Sequence, residues 1–129
     1  MRQTPHQKWN DSIIKFRKKC QQIMKVSKSI RYVGVINEYG RTLSGIIRPG
    51  VKPLLKSEQV KNEFFIISTL MTLRKSPDSP LGKLDYVVLK HQKVTVLAFQ
   101  RNKETYYVSI SSKEKELNKI IPKIKKLMA

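Results

Sequence analysis

The feature that most constrains the fold is a set of short strand-like segments that follow one another with few residues between them. They fall into two groups, with residues 30–36 and 41–48 in the first and residues 84–91, 94–100 and 105–111 in the second. Parallel neighbours need a crossover of roughly a dozen residues or more, whereas antiparallel neighbours need only a short turn. The spacing therefore predicts five antiparallel strands.

Three segments with helical periodicity surround and separate these strands. The first covers residues 5 to about 28, the second 58–75 and the third 113–128. Ser57 is expected to cap the second helix. Pro122 lies inside the third helix and removes one backbone hydrogen bond, so we expect a kink or a break there.

The predicted fold class is α+β, with a five-stranded antiparallel sheet, helices on both faces and the order α-β-β-α-β-β-β-α. A length of 129 residues is the size of one domain. Within that domain we expect a basic amphipathic helix over residues 1–29 and an α/β unit over residues 30–129.

The first predicted helix is amphipathic and strongly basic on one side. Its start, "TPHQ", has the form of a capping box, in which Thr4 caps the helix and Gln7 reaches back. The apolar face carries Trp9, Ile13, Phe16, Cys20 and either Ile23 or Met24. The basic face carries Lys8, Lys15, Lys18, Lys19 and Lys25. Such a helix either contacts a polyanion through its lysines or packs on the sheet with a solvated lysine face, the interpretation that we favour.

The glycine-rich stretch "VGVINEYGRTLSGIIRPG", residues 33–50, raises the question of a phosphate-binding loop. Gly45 and Gly50 have the separation found in such loops. However, a phosphate loop continues with Lys and then Ser or Thr at the start of a helix. Here the chain continues as "VKP", which cannot begin a helix in that way. The stretch therefore predicts a hairpin rather than a nucleotide site.

The hairpin interpretation assigns a role to each of its glycines. Gly40 closes the turn "NEYG", where a positive φ suits glycine. Counting outward from the turn places Gly34 opposite Ser44, and Val33 opposite Gly45. Small residues that meet across a strand pair predict a place where a helix backbone approaches the sheet closely.

Groups able to do chemistry are scarce. His6 and His91 have no Asp or Glu at a suggestive spacing, and Cys20 lies on an apolar helix face, as expected for a core thiol. One cysteine and two distant histidines do not make a usual zinc site. We therefore expect no catalytic residues, no metal and no cofactor, and a protein that is not an enzyme.

The net charge suggests a different kind of function. There are 27 Lys and Arg residues against nine Asp and Glu, a formal charge of +18 spread along the whole chain. This bias favours contact with nucleic acid, an acidic lipid surface or an acidic protein. Tyr106 and Tyr107 point to opposite sheet faces, so one of them could be exposed for base stacking, although aromatic residues in strands more often belong to the core. No RNP-like aromatic motif, Gly-x-x-Gly loop or zinc-finger spacing is present.

The location expected from the sequence is the cytoplasm. The single cysteine rules out an intramolecular disulfide and fits a reducing compartment. The N-terminal residues lack the apolar core of a signal peptide, and no apolar run has the length of a membrane span.

The middle helix is apolar on more than one side. Val60, Phe64, Ile67 and Met71 form one stripe, and Ile66, Leu70 and Leu73 form another. Phe65 projects in a third direction. One sheet cannot cover all of these side chains, so a second surface is expected, supplied by the first helix or by a partner subunit.

This arrangement resembles the Roadblock/dynein-light-chain domain, within the broader profilin-like and longin-like folds. The segment "YVGVINEYGRTLSG" is similar to the opening hairpin of that family, and the middle helix, three strands and closing helix follow in the same order. The resemblance covers residues 30 to 128. The chain is also similar to small archaeal proteins built on the same plan.

The resemblance implies a non-catalytic homodimerising module, since family members pair through the middle helix and the following strand. Many serve as scaffolds or regulators of small Ras-like GTPases. Carried over, the dimer interface consists of Phe65, Ile66, Thr69, Leu73, Tyr86, Val88 and Lys90. A small GTPase or another acidic protein is thus one expected partner, and nucleic acid and an anionic membrane remain the alternatives.

Overall fold

The structure is a computed structural model that describes residues 2–129. The helices and strands found there are α1 (Pro5–Met24), β1 (Ile30–Ile36), β2 (Thr42–Ile47), α2 (Ser57–Leu73), β3 (Val87–Lys90), β4 (Val94–Arg101), β5 (Glu104–Ser111) and α3 (Leu117–Met128). The predicted fold class is confirmed, because these elements have the expected order and the strands form one five-stranded antiparallel sheet.

The strand order in the sheet is β2-β1-β5-β4-β3. The last strand in the chain therefore lies at the centre, where it joins the two strand groups. Val33 of β1 is paired with Val108 of β5, which in turn is paired with Leu97 of β4. Strands β2 and β3 form the two edges of the sheet.

The helices cover both faces of the sheet, as predicted. One core lies under α1 and α3 and includes Cys20, Val108 and Ile124, while a second core lies under α2 and includes Phe64 and Ile67. Tyr106 and Tyr107 do point to opposite faces. Both are nevertheless buried, with 5% and 6% of their surface exposed, because each face of the sheet is covered by helices. Both therefore belong to the core, as strand aromatics usually do, and neither is exposed for base stacking.

Helix α1 begins with the predicted capping box, but it ends four residues earlier than expected. The backbone N–H of Gln7 donates to the Thr4 hydroxyl, and the Thr4 N–H donates to the Gln7 side chain. At the other end, the Arg48 guanidinium donates to the carbonyls of Met24, Ser27 and Ile30. Arg48 thus satisfies carbonyls that a longer helix would have bonded itself.

Helix α2 begins at Ser57, so Ser57 is its first residue and not its cap. The cap position is taken by Lys56, whose backbone N–H donates to the Gln59 side chain at 2.8 Å. The glutamine supplies half of a capping box, which makes a serine cap unnecessary. The helix ends at Leu73, two residues before the predicted end.

Helix α3 begins at Leu117, four residues later than predicted. The preceding residues form a turn because the Glu114 carboxylate accepts hydrogen bonds from the hydroxyls of Ser29 and Ser27, at 2.6 and 2.8 Å. The Ser29 hydroxyl, the backbone N–H of Glu116 and the Ser27 hydroxyl lower the pKa of Glu114 to about 2. The expected break at Pro122 is absent, and the helix continues through it to Met128.

The β1–β2 hairpin differs from the prediction in its register. Gly34 lies opposite Gly45, and Val35 lies opposite Ser44, because a β-bulge between Val35 and Ile36 shifts the pairing by one residue. The space above the two glycines is filled by the ring of Tyr32, not by a helix backbone. The close approach of a helix occurs instead at Gly40, which lies against the α2 backbone at Phe65.

Candidate interaction surfaces

The outward side of α2 carries large apolar side chains that the rest of the described chain leaves uncovered. Phe65 is 61% exposed, Ile66 59% and Leu73 78%. The inward stripe of the same helix is buried, as Phe64 and Ile67 illustrate. The predicted first stripe therefore packs on the sheet, whereas most of the remaining apolar surface faces solvent. We call Phe65, Ile66 and Leu73 the outer α2 face.

Strand β3 provides a second open feature, because it is an edge strand with a neighbour on one side only. Val87 and Leu89 pack towards the core under α2. The alternate residues Val88, which is 40% exposed, and Lys90 lie on the other side of the strand. An open edge presents unpaired backbone N–H and C=O groups that can pair with another strand.

The residues assigned to the dimer interface by resemblance lie in three places. The α2 residues lie together on its outward side, with Thr69 half-buried among them. Val88 and Lys90 are exposed on the β3 edge. Tyr86 lies just before β3, on the same side of the sheet as Val88 and Lys90, where its ring packs on Phe99 with 5.7 Å between the ring centroids. The Lys125 ammonium lies 5.7 Å from that ring.

The five lysines predicted to contact a polyanion are not equivalent. Lys8, Lys15 and Lys18 are exposed on one side of α1, and Lys25 is exposed just beyond its end. Lys19 is partly buried, because its ammonium group donates to the Leu127 carbonyl at the end of α3. Lys19 thus ties two helices together, and the open basic face of α1 consists of Lys8, Lys15 and Lys18.

Most of the positive charge has no acidic partner in the described part of the chain. Within residues 2–129 the ion pairs are Lys119 with Glu116 at 3.2 Å and Lys125 with Asp85 at 2.6 Å. Both are solvent-exposed and contribute little to stability. The excess charge is therefore available to an external anion.

A groove of about 760 Å³ opens between the sheet and the first turns of α2. Its apolar walls include Ile47, Val51, Leu54, Leu55, Val60 and Val96. Its aromatic floor is a cluster of Tyr32, Phe64 and Tyr107, with ring centroids 4.9 Å apart for Phe64 and Tyr107 and 6.1 Å for the two tyrosines. The groove could not be predicted from the sequence, because its lining combines residues of both strand groups, of the connection before α2 and of α2 itself.

The groups considered for chemistry lie in different parts of the structure, with His6 at the exposed start of α1, His91 directly after β3 and Cys20 in the core. Cys20 is fully buried, and burial raises the pKa of its thiol to about 11, so it is the core thiol that the sequence predicts. No group of three or more His, Cys, Asp or Glu side chains suited to a metal ion occurs among residues 2–129. Over the same residues, no helix has the length and apolar character needed to cross a membrane.

The element order, the sheet and the placement of the helices together define the Roadblock/LC7 fold. Neither family models nor the sequences of curated proteins match this chain. The likeness is to solved structures and lies in the backbone, at about one identical residue in ten.

Three of these structures illustrate the likeness. The gliding protein MglB from Thermus thermophilus has a TM-score of 0.70 at 10% identity, covering 92% of this chain and 84% of MglB. An MglB with a tetrameric arrangement gives the same values. A Roadblock/LC7 domain from Streptomyces avermitilis has a TM-score of 0.64 at 10% identity, covering 86% of this chain and 89% of that domain.

Proposed function

We propose that this protein is a non-enzymatic interaction module that forms a homodimer through the outer α2 face and the β3 edge. The observation that carries the proposal is the exposure of Phe65, Ile66 and Leu73 on a helix whose other side is already packed. The tetrameric arrangement described for one MglB supports self-association as a property that this fold allows.

The energetics favour the use of both elements together. Full burial of a Phe, Ile or Leu side chain contributes about 1.5–3 kcal/mol. In a symmetric pair the same patch occurs twice, so the exposed parts of Phe65, Ile66 and Leu73 contribute about 6–12 kcal/mol. Association itself costs about 4–15 kcal/mol. The apolar face alone is therefore marginal, and backbone pairing at the sheet edge supplies a second contribution.

The geometry of the edge suits a twofold arrangement. Two β3 strands that pair antiparallel make the two sheets continuous, and the two copies then present the same residues to each other. Val88 and Lys90 lie on that edge. Tyr86 directly precedes β3 and is half-buried, so the part of its ring that is not packed on Phe99 belongs to the proposed interface.

The partner class that the resemblance suggests for the dimer is a small GTPase, which the dimer would hold or regulate without doing chemistry itself. The basic surface of this chain suits a partner with an acidic face, because complementary charge speeds and orients association. Catalysis would then remain with the partner.

Sedimentation velocity at micromolar concentration tests the dimer. We expect the wild-type protein to sediment as a dimer and Phe65→Asp to sediment as a monomer, since a carboxylate placed in an apolar interface loses its hydration. Leu81→Asp is the matched control, because Leu81 is 86% exposed in a loop and lies outside the proposed interface. A monomeric wild-type protein that is unaffected by Phe65→Asp would reject the proposal.

A second function, binding of nucleic acid, is favoured by one specific observation. Lys8, Lys15 and Lys18 are exposed on one side of α1, around Asp11, and none of them forms an ion pair among residues 2–129. Cations arranged along a helix suit the phosphate backbone, which sets the affinity of non-specific binding. An anionic membrane would contact the same lysines. Binding to a membrane would persist after nuclease treatment, whereas binding to nucleic acid would be lost.

A further inference from the structure

We propose that the groove between the sheet and α2 binds a small amphipathic carboxylate, with its apolar body inside the groove and its carboxylate at the rim. This inference goes beyond the dimer proposal and is independent of it, because the groove lies at the start of α2 and does not include Phe65, Ile66 or Leu73.

The size and lining of the groove fit a small molecule. Pockets for small ligands have volumes of roughly 300–1,000 Å³, with mostly apolar walls and a few placed polar groups. The groove has about 760 Å³, with aliphatic walls that include Leu54, Val60 and Val96. The groove is open to solvent, since lining residues such as Leu54 and Leu55 are exposed, so a ligand can enter it without unfolding of the domain.

The aromatic floor supplies hydrogen-bond donors. Burial raises the pKa of Tyr32 to about 12 and raises that of Tyr107 further, and no hydrogen bond to another residue contributes to either shift. Both phenols therefore stay protonated at neutral pH. Neither hydroxyl is a fully buried donor left without a partner among residues 2–129, and a ligand oxygen in the groove is the partner that we assign to them.

The glycine pair of the hairpin helps to keep the groove open. Because Gly34 and Gly45 carry no side chains, the Tyr32 ring lies along the sheet above them. A Cβ at either position would push the phenol away from the sheet. Since the Tyr32 ring also lines the groove, such a displacement would change the shape of the groove.

The charge at the rim selects an anion. Arg31, Lys93 and His91 belong to the lining, and Glu63 is the one carboxylate there. The Arg31 guanidinium donates to the Lys52 carbonyl at 2.9 Å, which fixes its position. The positive end of the α2 dipole also contributes to the groove, since Ser57 begins the helix and is one of the lining residues.

Methyl NMR titration of the full chain with decanoate tests the proposal. We expect saturable shifts of the Leu54, Val60 and Val96 methyl groups, and no comparable shifts of Ile66 or Leu73 on the outer α2 face. Decanol, which has a similar chain but no charge, should bind less tightly. Lys93→Gln should lower the affinity for decanoate by about threefold, because one partly exposed ion pair is lost. The same substitution should leave the affinity for decanol unchanged.

A groove-filling variant and its control complete the experiment. Val60→Trp places an indole in the groove and should abolish the shifts, whereas Asn62→Trp, on an exposed position of the same helix, should leave them intact. Thermal unfolding of each variant establishes that it is folded. Absent or non-saturable shifts in the wild type, or full binding by a folded Val60→Trp, would overturn the proposal. If the chemical shifts of the groove residues depended on the protein concentration and not on the decanoate concentration, the groove would be an interface with a second copy. That result would also overturn the proposal.

Discussion

At the residue scale, glycine acts at two places in the β1–β2 hairpin, for different reasons. Gly34 and Gly45 face each other so that the Tyr32 ring can lie across them. Gly40 has a φ of 84° and lies against the α2 backbone at Phe65. The need for glycine in the turn could be predicted from "NEYG". The neighbour of each glycine could not, because a bulge changed the register and a tertiary contact brought α2 to the turn.

Gly40→Ala should be one of the most damaging small substitutions in the chain. Its Cβ would lie 2.9 Å from the Phe65 Cα and N atoms, and backbone atoms cannot move aside easily. Gly50 has the same φ of 84° with no atom within 4 Å, so Gly50→Ala is the matched control. We expect a loss of about 1–2 kcal/mol in the free energy of unfolding for the control, and a further 1–3 kcal/mol for Gly40→Ala. Urea denaturation measures both, and equal losses would contradict the packing described at the turn.

At the scale of single elements, the existence and type of every helix and strand were predictable, whereas several ends were not. A helix can end before its apolar pattern does, because side chains from distant parts of the chain form hydrogen bonds with the backbone groups or side chains at that point. Arg48 does this for the end of α1, and Ser27 and Ser29 hold Glu114 in a turn before α3. These partners are distant in sequence, so local patterns carry no sign of them.

The first helix combines a structural side with an open basic side. Cys20 and Ile23 belong to the core, and Lys19 is bonded to the end of α3. Deletion of residues 1–29 would therefore remove part of the core together with the lysines. Substitution of the exposed lysines separates the two roles.

The triple variant Lys8→Gln, Lys15→Gln and Lys18→Gln tests whether α1 contacts nucleic acid. The slope of log affinity against log salt changes by about 0.9 for each phosphate contact on duplex DNA. If all three lysines bind phosphates, we expect the slope to become shallower by about 2.7 in a fluorescence-anisotropy titration with duplex DNA. A triple glutamine variant at Lys61, Lys83 and Lys103 matches the charge loss at exposed positions outside α1. Equal changes in both variants would contradict a role specific to α1.

At the scale of the whole molecule, the sequence predicted the sheet and the two-sided helix cover but not the central pairing of β1 with β5. That pairing joins strands that lie about 70 residues apart, and only the packing of the complete domain selects it. The surface that remains open after packing is also a property of the whole fold. The outer α2 face was visible in the sequence as surplus apolar residues, whereas the groove was not.

The most direct test of the central claim, pairing at the β3 edge, is cross-linking of Val88→Cys with a short bis-maleimide. Opposed residues on paired antiparallel strands have Cβ atoms about 4.5–5.5 Å apart, so twofold pairing places the two new thiols within reach. Cys20 is fully buried, and the wild-type protein thus serves as the unreactive background. Leu81→Cys, in an exposed loop, controls for collisions between free molecules. We predict rapid covalent dimer formation by Val88→Cys alone, and no cross-link above the Leu81→Cys control would contradict the claim.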